Sequence, residues 1–218
     1  MIKNDYIRVL RIIERQVSEV SVPYVTRVSD KRKDPFKVLV SCILSLRTKD
    51  EVTAKASESL FKAVKTPYDI LNLSTAKIAQ IIYPVGFYRN KAKVLGGIAR
   101  LIVDKYKGNV PSGREELLSF NGVGPKTASL VLGLGFGIPA ICVDTHVHRI
   151  SNRLGWVCTR NPYDTEEALK EIIAKKWWIK LNTILVAFGQ NICLPVSPWC
   201  SKCKVSNYCK KIGVKRNR

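Results

Sequence analysis

FNGVGPKTASLVL, residues Phe120 to Leu132, decides how the chain is to be read. Gly122 and Gly124 flank Val123 in a turn that closes one short helical pattern, and Pro125 opens the next. Glycine at both positions removes the side chains that would keep a phosphate from the backbone. The N–H groups at the start of the second helix, with the positive end of its dipole, then offer an anion site indifferent to base sequence. A tight helix-to-helix turn with no ligand would use the same residues. Gly122, Val123, Gly124 and Lys126 are therefore candidate phosphate contacts whose reading depends on the rest of the chain.

The charge decides in favour of a ligand. Among 218 residues, 37 Lys and Arg face 17 Asp and Glu, a net charge of +20, and so lopsided a surface points to a polyanionic partner. A hydrophobic share of 46%, with 13 Gly and 10 Pro, allows a buried core and excludes fibrous and disordered classes. The longest uncharged run, Thr127 to Val143, has seventeen residues, is broken by Gly133, Gly135, Gly137 and Pro139, and falls short of a bilayer span. Lys3, Asp5, Arg8, Arg11, Glu14 and Arg15 leave no apolar stretch for a signal peptide. The expectation is a cytosolic or nuclear protein with no membrane partner.

Outward from the turn, helical periodicity dominates. Ile2, Tyr6, Val9, Ile13, Val17 and Val20 recur every three or four residues. Asp34 and Pro35 form a cap and first-turn proline ahead of the apolar run Phe36 to Leu46, which predicts a deeply buried helix. Thr66-Pro67 and Ser74 mark further starts, and Asn90 to Lys107 reads as a basic helix ended by Gly108. Ser112 with Glu115, and Asp164 with Glu167, have the spacing of capping boxes. The run KKWWIKLNTILVAFGQ, Lys175 to Gln190, suits a packed helix. Only Tyr83 to Phe87 and Ile138 to Val143 suggest extended pieces, so the predicted class is all-α.

Three groups of residues carry chemistry. Lys126 lies at the second position of the helix after the turn, where the dipole disfavours an ammonium and favours a reactive amine; a phosphate salt bridge is the plainer use. Asp144 follows Val143 and precedes the helical pattern THVHRISNRL, so it caps that helix, and a capped carboxylate stays ionised and can face a developing positive charge. Cys193, Cys200, Cys203 and Cys209 are spaced C-x6-C-x2-C-x5-C, a set that suits zinc or an iron–sulfur cluster; a single C-x2-C pair tilts it toward a cluster. Cys42 and Cys142 lie in apolar runs and read as core residues, and Cys158 is uninformative. His146 and His148 face different ways on a helix and read as non-ligands.

With these residues in hand, the chain resembles the helix-hairpin-helix DNA glycosylases, most closely their endonuclease III branch. FNGVGPKTASLVL resembles the hairpin, VDTHVHRISNRLGW the catalytic aspartate segment, and the four-cysteine spacing the [4Fe-4S] loop. The resemblance implies an all-α fold with a six-helix domain at residues 28–138, its hairpin at about 112–136, and a cluster domain built from 1–27 and 139–218. It implies that Lys126 attacks C1′ of a damaged nucleotide while Asp144 assists departure of the base, and that β-elimination through a Schiff base then cuts the strand. By position it assigns Arg47 and Phe87 to the residues that fill the helix and contact the lesion after base extrusion, although a core aromatic is an equal reading of Phe87. Bacterial members usually carry glutamine where Arg47 stands. They also place basic residues between the first two cluster cysteines, where this chain has LPVSPW, so Lys202, Lys204, Lys210 and Lys211 are the substitutes on offer.

The expected function is a DNA glycosylase and apurinic/apyrimidinic lyase that removes oxidised pyrimidines from duplex DNA, holds a [4Fe-4S] cluster and acts as a monomer. The competing readings are a mismatch-specific glycosylase without lyase activity, and a non-catalytic DNA-binding protein with a structural metal.

Overall fold

The computed structural model describes residues 3–20, 22–30 and 33–218, with the side chains of 3, 4, 29 and 30 left aside. Among these residues there are twelve α-helices and no strand. Ile2 of the opening periodicity lies outside them. Chain contacts divide the molecule into two compact units, Tyr24–Ile138 and a second made of Met1–Pro23 with Pro139–Arg218.

The Tyr24–Ile138 unit is organised around α3, Pro35–Ser45. Asp34 caps it, its carboxylate accepting the Lys37 N–H at 2.9 Å, and Pro35 occupies the first turn, where a missing N–H costs nothing. Phe36 and every residue from Val38 to Leu44 are buried, so no face of this helix is left polar. It packs against α2 (Tyr24–Asp30), α4 (Asp50–Ala63), α7 (Tyr88–Tyr106), α9 (Pro125–Leu130) and the π-helical turn Val131–Phe136 that continues α9. Gly135 makes that last contact close: a Cβ there would lie 2.7 Å from the Pro35 Cα. The short helices α5 (Pro67–Leu71) and α6 (Thr75–Ile82) pack on α7, started by a Thr66–Asp69 capping box and by Ser74.

Four details differ from the sequence expectations. The unit begins at Tyr24 rather than residue 28, because α2 packs on α3 and α4 and the Asp50 carboxylate accepts the Tyr24 N–H at 3.0 Å. Helix α8 (Arg114–Leu118) is capped by the backbone of Gly113, not by a Ser112–Glu115 box. Helix α11 (Pro162–Ile172) is capped by Asn161, with Asp164 in its first turn, so the Asp164–Glu167 spacing lies inside the helix. Neither Tyr83 to Phe87 nor Ile138 to Val143 forms a strand, since neither meets an extended partner; the first is a turn and the second irregular backbone.

The other unit joins α1 (Lys3–Gln16) to α10 (Thr145–Leu154), α11 and α12 (Trp178–Asn191). Its core gathers Val9, Leu10 and Ile13 of α1, Val147, Ile150 and Leu154 of α10, and Leu181, Leu185 and Phe188 of α12. No helix among the described residues is long and apolar enough to cross a membrane.

Glycines give the fold a direct test. Gly135→Ala forces backbone apart and is expected to destabilise by about 1–3 kcal/mol, the usual cost of overpacking. Gly96→Ala, where an added Cβ meets nothing within 4 Å in the middle of α7, is expected to stabilise by up to about 1 kcal/mol. Urea midpoints moving in these opposite directions would support the packing; a neutral Gly135→Ala would refute the close approach.

Candidate active site

The hairpin turn is held from below. Val123 buries its side chain in the core and its N–H donates to the Phe120 carbonyl at 3.0 Å, while Gly122 and Gly124 stay exposed on either side. Gly122 has φ +80°, a left-handed conformation that disfavours any side chain, and a Cβ would also press on Val94 at 3.2 Å. Gly124 is extended, and a Cβ there would meet nothing within 4 Å. The first glycine is thus required by the chain itself, and the second leaves space in front of the start of α9. Lys126 stands exposed in the first turn of α9. Burial pushes the Cys42 thiol in α3 up to about 12, and the charge of Lys126 pulls the other way. Cys42 and Cys142 are both buried, as core cysteines should be.

Asp144 belongs to the other unit. It caps α10, its carboxylate accepting the His146 and Val147 N–H groups at 2.9 and 3.0 Å, and it remains half-buried rather than enclosed. His146 and His148 act locally: His148 Nδ1 lies 2.7 Å from Thr165 Oγ1, and His146 Nδ1 lies 3.1 Å from the Arg149 guanidinium.

Arg47 and Phe87 come together in the first unit. The Arg47 guanidinium lies over the Phe87 ring, 5.7 Å from its centre, and Phe87 is 64% exposed, which removes the core-aromatic reading. Both have positive φ, 52° and 59°, a conformation that side chains adopt only where neighbours hold it. What holds it escapes a reading by motif. Lys91, buried in the first turn of α7, donates from Nζ to the Leu44 and Leu46 carbonyls at 2.8 and 2.5 Å and to Thr48 Oγ1 at 3.0 Å. Thr48 Oγ1 in turn accepts the Gly86 N–H at 3.2 Å, and a Cβ on Gly86 would lie 2.7 Å from the Arg47 carbonyl. The two loops are tied into one platform by a buried ammonium. The one available signal was a lysine in a helical stretch whose neighbouring positions are apolar.

Cys193, Cys200, Cys203 and Cys209 line one apolar cavity with Ile150, Leu154, Phe188 and Val205. Burial pushes the Cys203 thiol up to about 11, with a smaller contribution from the other three thiols, and raises Cys209 in the same way. Such thiols lose their protons when metal replaces them. Donors already face the sulfurs: Lys211 N–H lies 3.3 Å from Cys209 Sγ and Arg153 Nη1 3.5 Å from Cys193 Sγ. Among the described residues no three His, Cys, Asp or Glu side chains are gathered as a ready single-ion site. The four cysteines line a shared cavity instead, and four thiolates are a donor set that suits zinc or an iron–sulfur cluster. Lys202 and Lys204 lie exposed beside it, and Lys202 Nζ is 4.4 Å from the centre of the Trp199 ring.

An all-helical chain with a glycine hairpin, a lysine on the following helix and a four-cysteine loop defines a class, and comparison with known proteins identifies it. Residues 40–175 match the family of HhH-GPD superfamily base excision DNA repair proteins, and the chain belongs to that family. It is 49% identical to endonuclease III of Thermotoga maritima over 83% of this chain and 84% of that one, and 36% identical to endonuclease III of Bacillus subtilis over 85% and 84%. It is 39% identical to the chloroplastic endonuclease III homolog 1 of Arabidopsis thaliana over 94% of its length, and spans 58% of that longer protein. Among solved structures it is similar to a trapped endonuclease III–DNA covalent intermediate, with a TM-score of 0.84, 32% identity and 97% of both chains covered. A thermostable thymine-DNA glycosylase has the same TM-score at 26% identity, over 96% and 95%.

The buried amine under the platform predicts a pH effect. Burial lowers Lys91 from 10.5 to about 8, so between those values the unfolded chain holds a proton that the folded chain has released. The cost of burying the charge is present below about pH 8 and is relieved as pH rises toward 10.5. Wild-type unfolding free energy should therefore climb relative to Lys91→Met across that window in urea titrations. Parallel profiles would show that the amine is not desolvated.

Proposed function

We propose that this chain is a bifunctional DNA glycosylase and apurinic/apyrimidinic lyase of base-excision repair, acting on oxidised pyrimidines in duplex DNA. The observation that carries the lyase half is Lys126: an exposed amine on the helix that follows an exposed glycine hairpin, in a chain of net charge +20. Membership of a base-excision-repair family and the likeness to a DNA-bound endonuclease III support DNA as the partner. The fold alone does not separate lyase from plain glycosylase, because the thymine-DNA glycosylase is equally similar in shape. Lys126 favours the lyase reading, since only an amine yields an imine.

In this reading the hairpin amides hold backbone phosphate, and the base is extruded because C1′ is unreachable inside the stack. Arg47 and Phe87, braced by Lys91, occupy the gap. The Lys126 amine bonds to C1′ as the C1′–N bond breaks, and the base leaves with that electron pair and a proton. The Asp144 carboxylate, fixed by the two backbone N–H groups it accepts, stabilises the positive charge that develops on the sugar. Ring opening gives an imine, whose electron demand makes the C2′ proton acidic. Loss of that proton expels the 3′ phosphate and cuts the strand. Water then releases Lys126.

Cys193, Cys200, Cys203 and Cys209 would hold a [4Fe-4S] cluster, which when bound cross-links its loop to the core through four thiolates and leaves no iron open to substrate. We place the enzyme with its DNA, at the nucleoid or in a nucleus, as a monomer.

Borohydride should trap wild-type protein on duplexes carrying an abasic or oxidised-pyrimidine site, and Lys126→Gln should abolish both trapping and strand cutting while keeping damaged-DNA affinity. Asp144→Asn should slow base excision by about 10²-fold or more, with less effect on cutting at a ready-made abasic site. No trapped complex with either substrate would sink the lyase assignment. Purified protein should absorb broadly near about 400 nm, as iron–sulfur proteins do, and Cys203→Ala should lose that band together with stability. Colourless protein holding zinc would overturn the cluster.

A further inference from the structure

The loop between Cys193 and Cys200 carries no Lys or Arg, yet the structure surrounds it with cations drawn from the end of the chain. After Cys209 the backbone turns at Lys211 and Gly213, both with positive φ, and the Ile212 N–H donates to the Arg153 carbonyl at 3.2 Å. The segment then runs back to the loop. Arg218 N–H donates to the Pro198 carbonyl at 2.8 Å, and the Arg218 carbonyl accepts the Ser201 N–H at 2.9 Å. The Arg218 guanidinium lies 4.3 Å from the centre of the Trp199 ring, the same indole that Lys202 approaches. Between tail and loop lies a cleft of about 450 Å³, walled by Pro195, Val196 and Ser197 on one side and by Lys215 and Arg216 on the other.

This is an ordered arrangement rather than a charge run in solvent. Arg153, 8% exposed, fastens the loop by donating to the Leu194 and Pro195 carbonyls, both at 2.6 Å, and its own carbonyl accepts from the tail. One buried arginine therefore anchors both walls. Lys215, Arg216 and Arg218 are exposed, and no acid occurs from Lys202 to the end of the sequence. Val196 is 80% exposed on the rim, so the loop offers backbone and apolar surface but no charge of its own.

We infer that the tail Lys211–Arg218, docked on the loop Leu194–Trp199, forms a DNA-backbone contact in which Lys215 and Arg216 receive phosphate in the cleft and Arg218 and Lys202 flank it. The inference rests on the DNA reading above. The charge that the loop lacks is supplied by a segment outside the four-cysteine motif. A phosphodiester suits the cleft because Lys215 and Arg216 line it with no Asp or Glu among the lining residues, and because contact of this kind positions a duplex without reading its sequence.

The test is the salt dependence of binding to an undamaged duplex, by fluorescence anisotropy. Two phosphate contacts contribute about 1.8 to the slope of log K against log salt. Lys215→Gln/Arg216→Gln should flatten the slope by roughly that amount and weaken binding about 10-fold or more at moderate salt. Its absorbance at about 400 nm should stay at the wild-type value, which shows that the loop and its cysteines are intact. Lys62→Gln/Lys77→Gln, the same charge removed from exposed sites in the other unit, should leave the slope unchanged. An unchanged slope in the tail variant, or an equal loss in the control pair, would overturn the inference. A flat slope in wild type would overturn the DNA reading itself, which separates the two failures.

Discussion

The burial of α3 on every side is the constraint on which the Tyr24–Ile138 unit depends. A helix with eight buried residues between Phe36 and Leu44 presents no polar face, so its surroundings must close around it completely. Each closure brings in something the site uses. At the N-terminal end Pro35 receives Gly135, which fixes the π-helical continuation of α9 and with it the lysine helix. Near the middle, the Lys126 charge opposes the rise that burial gives the Cys42 thiol. At the C-terminal end the last carbonyls have no intrahelical partner, and the Lys91 ammonium satisfies two of them while reaching Thr48. Three separate pieces of chemistry are thus referred to one rigid element.

Helix α10 plays the corresponding part in the other unit. Its N-terminus is capped by Asp144, and its later turns carry Arg149 and Arg153. Arg149 donates to the carbonyls of Gly189 and Cys193 at 3.2 and 2.8 Å, so the aspartate's helix and the first cysteine of the loop share a guanidinium. Burial pulls Arg149 down from its ordinary value, and the charges of Cys193 and Asp144 oppose that shift. The helix that carries the Asp144 cap and the first cysteine of the loop are thus joined by direct hydrogen bonds.

Much of this was legible in the sequence because the signals are local. A positive-φ turn asks for Gly122, a helix start asks for Asp34, Thr66 and Asp144, and a candidate ligand set is written as the spacing of Cys193, Cys200, Cys203 and Cys209. The charge of +20 is a sum, which needs no fold to be counted. Those features determined the all-α class and the chemistry of an amine, a carboxylate and four thiols. The capping boxes at Ser112 and Asp164 misled for the same reason: the spacing is right, but Gly113 and Asn161 offered better-placed caps one to three residues away.

Tertiary structure decided what depends on residues far apart in the chain. Lys91 reads as one more basic residue until α7 carries it beneath Leu44 and Leu46, more than forty positions earlier. Phe87 could be core or surface by pattern; in the structure its loop is bonded to Thr48 through the Gly86 N–H and the ring is 64% exposed. The tail after Cys209 reads as a solvated basic end, and becomes one wall of a cleft because Arg153 binds both it and the loop. In each case a hydrogen bond joins segments far apart in the chain, and no local periodicity encodes that, because the partners become neighbours only once the chain has closed around them.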